Sequence, residues 1–194
     1  MPSVTTRRRG FVMLLSLMLT VFAAPVLRAD ALDGALEVQS AFVNQEAGVY
    51  QLHARVLYPV NDQLREALRD GVSLSFDLDV SIQRQRRYWV DAEVVALTLR
   101  RELSYHTVSD RYLVRSARTG EQSSYPTLDA ALEALGIVEN WPILVASQVR
   151  GGEHTVSVRA GVRRGRLTDA LRVLLFWTDD WHRESEWYSW SLPR

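Results

Sequence analysis

The chain has 194 residues, with 23 basic side chains against 23 acidic ones, every basic one an arginine and none of the residues a cysteine. All the acids lie from Asp30 onward, whereas Arg7, Arg8, Arg9 and Arg28 precede it, so residues 30–194 carry 23 − 4 = 19 arginines against 23 acids, a formal charge of −4. Scattered arginines on a mildly acidic chain are not the concentrated basic face that nucleic acid demands, and a chain without cysteine has neither a disulfide framework nor a lipoprotein anchor.

The chain opens with a basic start (Arg7 to Arg9), an apolar run from Phe11 to Ala24 broken only by Ser16 and Thr20, and then a stretch of small residues. This is the anatomy of a cleaved export signal. Its fourteen residues fall short of the roughly 20 that span a bilayer core as a helix. Residues 1–29 therefore read as a signal peptide, with cleavage between Ala24 and Leu32, and residues 30–194 as one β-rich domain. Contact with a membrane is expected only through an uncleaved signal segment. The expected location is the periplasm or the medium. A domain of this size buries about 70% of its unfolded surface, enough for one core without covalent staples.

From Leu36 to Val43 an irregular apolar run predicts a first strand, with a turn at Asn44 to Gly48. Leu52, Ala54, Val56 and Tyr58 alternate with polar residues, and from Val72 to Gln83 the alternation is nearly strict: Val72, Leu74, Phe76, Leu78, Val80 and Ile82 on one side, Ser73, Ser75, Asp77, Asp79, Ser81 and Gln83 on the other. Such period-two patterns mark half-buried strands. Between them, Asn61 is placed to cap a helix that buries Leu64, Ala67 and Leu68 and stops at Gly71. Runs at Val94 to Leu103 and Arg111 to Ser116 predict further strands, followed by a Thr119-Gly120 turn. Thr127 then caps a second helix with Leu128, Ala131, Leu132 and Leu135, ending at Gly136. After Gly151-Gly152, Val156, Val158, Ala160 and Val162 alternate again, and Leu171 to Trp177 completes seven or so strands. The pattern predicts a mainly β fold, an immunoglobulin-like antiparallel β-sandwich with two short helices; a curved antiparallel sheet with helices on one face is the alternative.

Residues that carry chemistry are sparse. His53, His106, His154 and His182 are far apart, none at a metal-ligand spacing, so no metal is expected. No serine sits in a nucleophile elbow and no glycine loop cradles a phosphate. Asp77 and Asp79 share a strand face, where carboxylates usually serve solubility. No catalytic residue and no cofactor is assigned on these grounds.

Two clusters stand out. Residues 176–190 hold Trp177, Trp181, Trp187 and Trp190, four of the six tryptophans, together with Tyr188. As a surface, Trp181, Trp187, Tyr188 and Trp190 would stack on a glycan or anchor a partner; as core they would fill the sandwich, which is the reading favoured for most of them. Trp187 and Trp190 are three apart, so a regular strand puts them on opposite faces and leaves at least one exposed. The other cluster, Arg84, Arg86, Arg87, Tyr88 and Trp89, ends the cleanest strand. It offers charge-assisted binding of an anion, but the nearby Asp91 and Glu93 favour local ion pairs.

The succession of Arg84 to Trp89, Leu103-Ser104-Tyr105-His106, Arg111-Tyr112-Leu113-Val114, Thr119-Gly120-Glu121, Leu128-Asp129-Ala130-Ala131-Leu132-Glu133-Ala134-Leu135-Gly136 and the Trp-rich close resembles the DUF4390 family of proteobacterial exported proteins. The likeness runs over nearly all of residues 30–194. It implies a secreted or periplasmic domain and supplies no catalytic residues to carry over. Genes of the family are often found beside a nitrogen-regulation-type sensor histidine kinase, which implies an envelope partner such as that sensor. Together these features predict a non-enzymatic periplasmic interaction domain, with a glycan- or small-ligand-binding β-sandwich using the C-terminal aromatics as the alternative.

Overall fold

A computed structural model describes residues 32–85, 92–149, 151–165 and 182–192. The signal segment, the expected strand at Leu171 to Trp177, and the candidates Arg86, Arg87, Trp89 and Trp181 lie outside the described residues. The strands are β1 (Glu37–Glu46), β2 (Val49–Leu57), β3 (Leu74–Arg84), β4 (Ala92–His106), β5 (Arg111–Ser116), β6 (Gln122–Tyr125), β7 (Ile137–Val145), β8 (His154–Arg164), β9 (His182–Glu184) and β10 (Tyr188–Ser191). The helices are α1 (Asp62–Arg69) and α2 (Leu128–Gly136).

All pairings are antiparallel and form two sheets. The smaller has the order β1-β2-β7, and the larger β10-β8-β3-β4-β5-β6, with β9 continuing along the outer edge of β8. The fold is thus the mainly β, antiparallel sandwich with two helices that the alternation predicts. Leu74, Phe76, Leu78, Val80 and Ile82 of β3 and Val156, Val158, Ala160 and Val162 of β8 fill its interior, facing Ala41, Val43, Leu52, Ala54 and Val56 of the small sheet. The small sheet covers only part of the large one. The helices cover more: α1 packs on β4, and α2 on β5 and β6.

Both helices start where the sequence places their caps. Asn61 Oδ1 accepts from the Leu64 amide at 2.7 Å, and its Nδ2 donates to the Asp33 carbonyl at 2.9 Å. Thr127 Oγ1 accepts from the Ala130 amide at 3.2 Å. Helix α1 ends at Gly71, whose φ of 89° suits glycine; the Gly71 amide donates to Leu68 and the Val72 amide to Ala67, closing the last turn. Helix α2 runs straight into β7. Its last carbonyls, those of Ala134 and Leu135, accept from the guanidinium of Arg101 at 3.2 and 2.7 Å. A cation at this end complements the helix dipole and ties α2 to β4. Burial lowers the pKa of Arg101, partly offset by Tyr58 and Tyr125.

Strand β7 is one the sequence reading did not name. Asn140, with φ of 51°, and Pro142 interrupt its alternation, and its register against β2 shifts twice. An edge strand broken by bulges and a proline is poorly suited to pairing with a further chain.

Candidate functional site

The polar side of the alternation in β3 faces away from the sandwich and forms the middle of a charged sheet face. Register sets its rows. Asp77 stands opposite Arg100 of β4, Asp79 opposite Thr98 and Arg159, and Ser75 opposite Glu102 and Arg163. Arg100 donates to both oxygens of Asp77 at 2.7 and 3.1 Å, and Nη2 of Arg163 lies 2.8 Å from the same carboxylate. Asp77 is accordingly well shielded, with a side-chain exposure of 13%. Its hydrogen bond holds the Arg100 guanidinium above its ordinary pKa. Two-pronged pairs of this kind fix orientation as well as charge.

Along the same face, Asp79 accepts from Thr98 at 2.7 Å and from Arg159 at 3.4 Å. The other arm of Arg159 meets Glu184 of β9 at 2.5 Å. Arg159 also lies over the indole of Trp187, 4.6 Å from the ring centroid. Two carboxylates thus hold a guanidinium against an aromatic ring, and Trp187 remains 45% exposed. Ion pairs at such surfaces contribute only ~0–1 kcal/mol each to stability. Their larger effect is to fix the geometry of the face.

The row of Ser75 borders an open concavity of about 560 Å³, lined by Ser75, Arg100, Glu102, Arg115, Arg163 and Arg164. Gly165 closes its rim. A Cβ there would sit 2.6 Å from Ser73 Oγ and 3.0 Å from the Ser73 carbonyl oxygen, and the Gly165 amide donates to that carbonyl at 2.8 Å. The glycine lets the end of β8 lie close against β3.

The C-terminal aromatics divide between the two faces. Tyr188 and Trp190 pair with Val158 and Val156, the inward residues of β8; their rings lie 5.7 Å apart, and Trp190 packs on the core. Trp187 lies on the opposite, charged face with Arg159. Between β9 and β10, Ser185 replaces a regular ladder residue: its amide donates to Ala160 O at 2.8 Å, and its Oγ accepts from the Ala160 amide at 3.0 Å. This junction re-aims the chain so that Trp187 and Tyr188 diverge. Of the sequence-derived candidates, Arg84 is half-buried at the end of β3, paired with His154, and its methylenes lie beside Gly152. It does not join Trp187. Arg100, Arg115, Arg159 and Arg163 were not singled out from sequence; their one signal is that they occupy polar positions of alternating strands.

A second, smaller cavity of about 280 Å³ lies at one end of the sandwich, lined by Tyr50, Val149, Glu153, His154, Ser191 and Leu192. His154 is buried, with Nδ1 3.2 Å from the Gly152 carbonyl oxygen. Its Nε2 has no hydrogen-bond partner among the described residues. No group of three His, Asp or Glu side chains placed to hold a metal ion occurs among the described residues, nor does a helix long and apolar enough to cross a membrane.

No curated protein and no solved structure matches the chain. A family model described as a domain of unknown function, DUF4390, matches residues 33–191.

Proposed function

This chain belongs to the DUF4390 family, and from that premise we propose that it is a non-enzymatic interaction domain of the bacterial envelope, docking a protein partner on the charged face of its larger sheet. The observation that carries the reading is Trp187, exposed at the surface while Arg159, itself held by Asp79 and Glu184, lies over its indole. An aromatic that is already ordered loses little entropy on binding, and tryptophan beside arginine is the composition of binding hot spots. The arginine and carboxylate rows around it offer complementary charge for orientation. The export signal read in residues 1–29 supports a location in the periplasm, and the gene neighbourhood implied by the family resemblance makes the periplasmic part of a sensor histidine kinase the first partner to test.

Glycan stacking is less well supported. It needs several indoles on one surface, whereas among the described residues Trp187 lies on the charged face and Tyr188 and Trp190 on the other side of the strand.

Titration calorimetry of the protein with the purified periplasmic segment of that kinase tests the proposal. Binding is expected to weaken as salt rises, and Trp187→Ala is expected to weaken it about 30-fold or more, the loss typical of a hot-spot residue. Binding that is unaffected by Trp187→Ala would place the contact elsewhere, and no binding at low salt would remove the kinase as partner.

A further inference from the structure

We propose that the free edge of β4 takes up an extended segment of a partner polypeptide as an added strand. Strand β4 has 15 residues and β5 only six. Strand β5 pairs with Arg101–His106, and contact ends where the Ala117 amide donates to the Arg100 carbonyl at 3.0 Å. From Glu93 to Leu99, β4 has β3 on one side and no strand on the other among the described residues. Successive residues of an antiparallel strand turn their main-chain groups to opposite sides. Since Arg100 turns its carbonyl toward β5, Thr98 and Ala96 turn their amides and carbonyls into the empty lane.

The lane is open on its apolar side as well. Register with Ile82, Val80 and Leu78 points Val95, Leu97 and Leu99 to the interior, yet Val95 and Leu99 are only partly buried and Leu97 is 37% exposed. The other edges differ. Strand β7 is broken by bulges and Pro142, β6 has four residues, and β9 and β10 are separated at Ser185, all devices that discourage pairing. The inward residues of β1, Val38, Ala41 and Val43, are already buried. A strand with apolar residues at alternate positions would complete the cover that β4 lacks, its main chain bonding to Ala96 and Thr98. Charge at the two ends of the lane sets its direction: exposed Arg118 follows Ala117 at the closed end, and exposed Glu93 stands at the other. An antiparallel occupant therefore begins with an acidic residue and finishes with a basic one. The inference concerns an edge of the sheet, not its charged face, and does not rest on docking at Trp187.

Hydrogen exchange at single amides of the ¹⁵N-labelled chain, as the cell processes it, is followed with a synthetic octapeptide of alternating valine and threonine that begins with glutamate and ends with arginine. Saturable slowing at Ala96 and Thr98 is expected, while Leu97 and Leu99, whose amides face β3, are unchanged. Leu97→Asn, at a half-exposed position, is expected to weaken the effect about tenfold. Of two peptides N-methylated on alternate sets of amides, one is expected to lose the effect and the other to keep it. No slowing at Ala96 and Thr98, or equal responses to the two methylated peptides, overturns strand addition. An undiminished response in Leu97→Asn places the peptide elsewhere. Slowing that grows with protein concentration in the absence of peptide gives the edge to a second copy of this chain and overturns the choice of occupant.

Discussion

Gly136, the last residue of α2, shows how closely helix and sheet meet. A Cβ on it would lie 2.2 Å from the carbonyl oxygen of Val56 in β2, and a backbone atom cannot swing aside as a side chain does. Gly136→Ala must push α2 off the small sheet. Overpacking of this kind costs about 1–3 kcal/mol or more, read as a lower midpoint in chemical denaturation with the m-value unchanged. Tyr58 gives a second local test. Its ring packs edge-on against Phe76, with centroids 4.8 Å apart. Burial raises its hydroxyl from 10.0 to about 12, with nearby Arg101 opposing the rise. The neutral phenol is thus favoured in the folded state. Its contribution to stability is fully present below pH 10 and is lost as pH rises toward 12. Unfolding free energy should fall across that window, and the fall should be smaller in Tyr58→Phe. An equal fall in the variant would assign the alkaline loss to other groups.

Elements differ in how plainly the sequence announces them, and the reasons are physical. Strands β3 and β8 alternate almost without error because each lies centrally in the large sheet, one face on the core and the other on water. The caps of α1 and α2 are legible because Asn61 and Thr127 act within three residues of themselves. Asn61→Ala should therefore cost about 1 kcal/mol, or somewhat more because the tie to Asp33 is lost as well; no measurable loss in denaturant would mean that the cap is not carrying the helix. Strand β6, Gln122–Tyr125, has no apolar alternation to read. Strand β7 hides its period behind Asn140 and Pro142, and β10 is short and follows the Ser185 irregularity. The spacing of Trp187 and Trp190 did predict that they take opposite faces. That inference survives because the two residues belong to one strand and its immediate approach.

At the scale of the molecule, the charged face was not legible. Asp77 and Asp79 were noticed as a pair, but their partners are brought to them by register: Arg100 is 23 residues away and Arg159 is 80 residues from Asp79. A one-residue slip of β4 or β8 would send these arginines to the other side of the sheet. The two-sheet frame makes such a slip costly, because every inward residue of β8 from Val156 to Val162 would leave the core with them. The same frame turns the polar side of the large sheet outward. Its inner side is occupied by the small sheet and by α1 and α2, whereas among the described residues its outer side carries ordered arginines, carboxylates and one exposed indole. The central claim, that this outer face is the docking surface, is tested most directly by photocrosslinking in living cells. A photoreactive amino acid is placed at position 187 and, separately, at Phe42, which is exposed and stacked on His53 of the small sheet. A reproducible adduct with one envelope protein is expected from position 187, reduced by Arg159→Ala, and none from position 42. An adduct from position 42 with none from position 187 would contradict it.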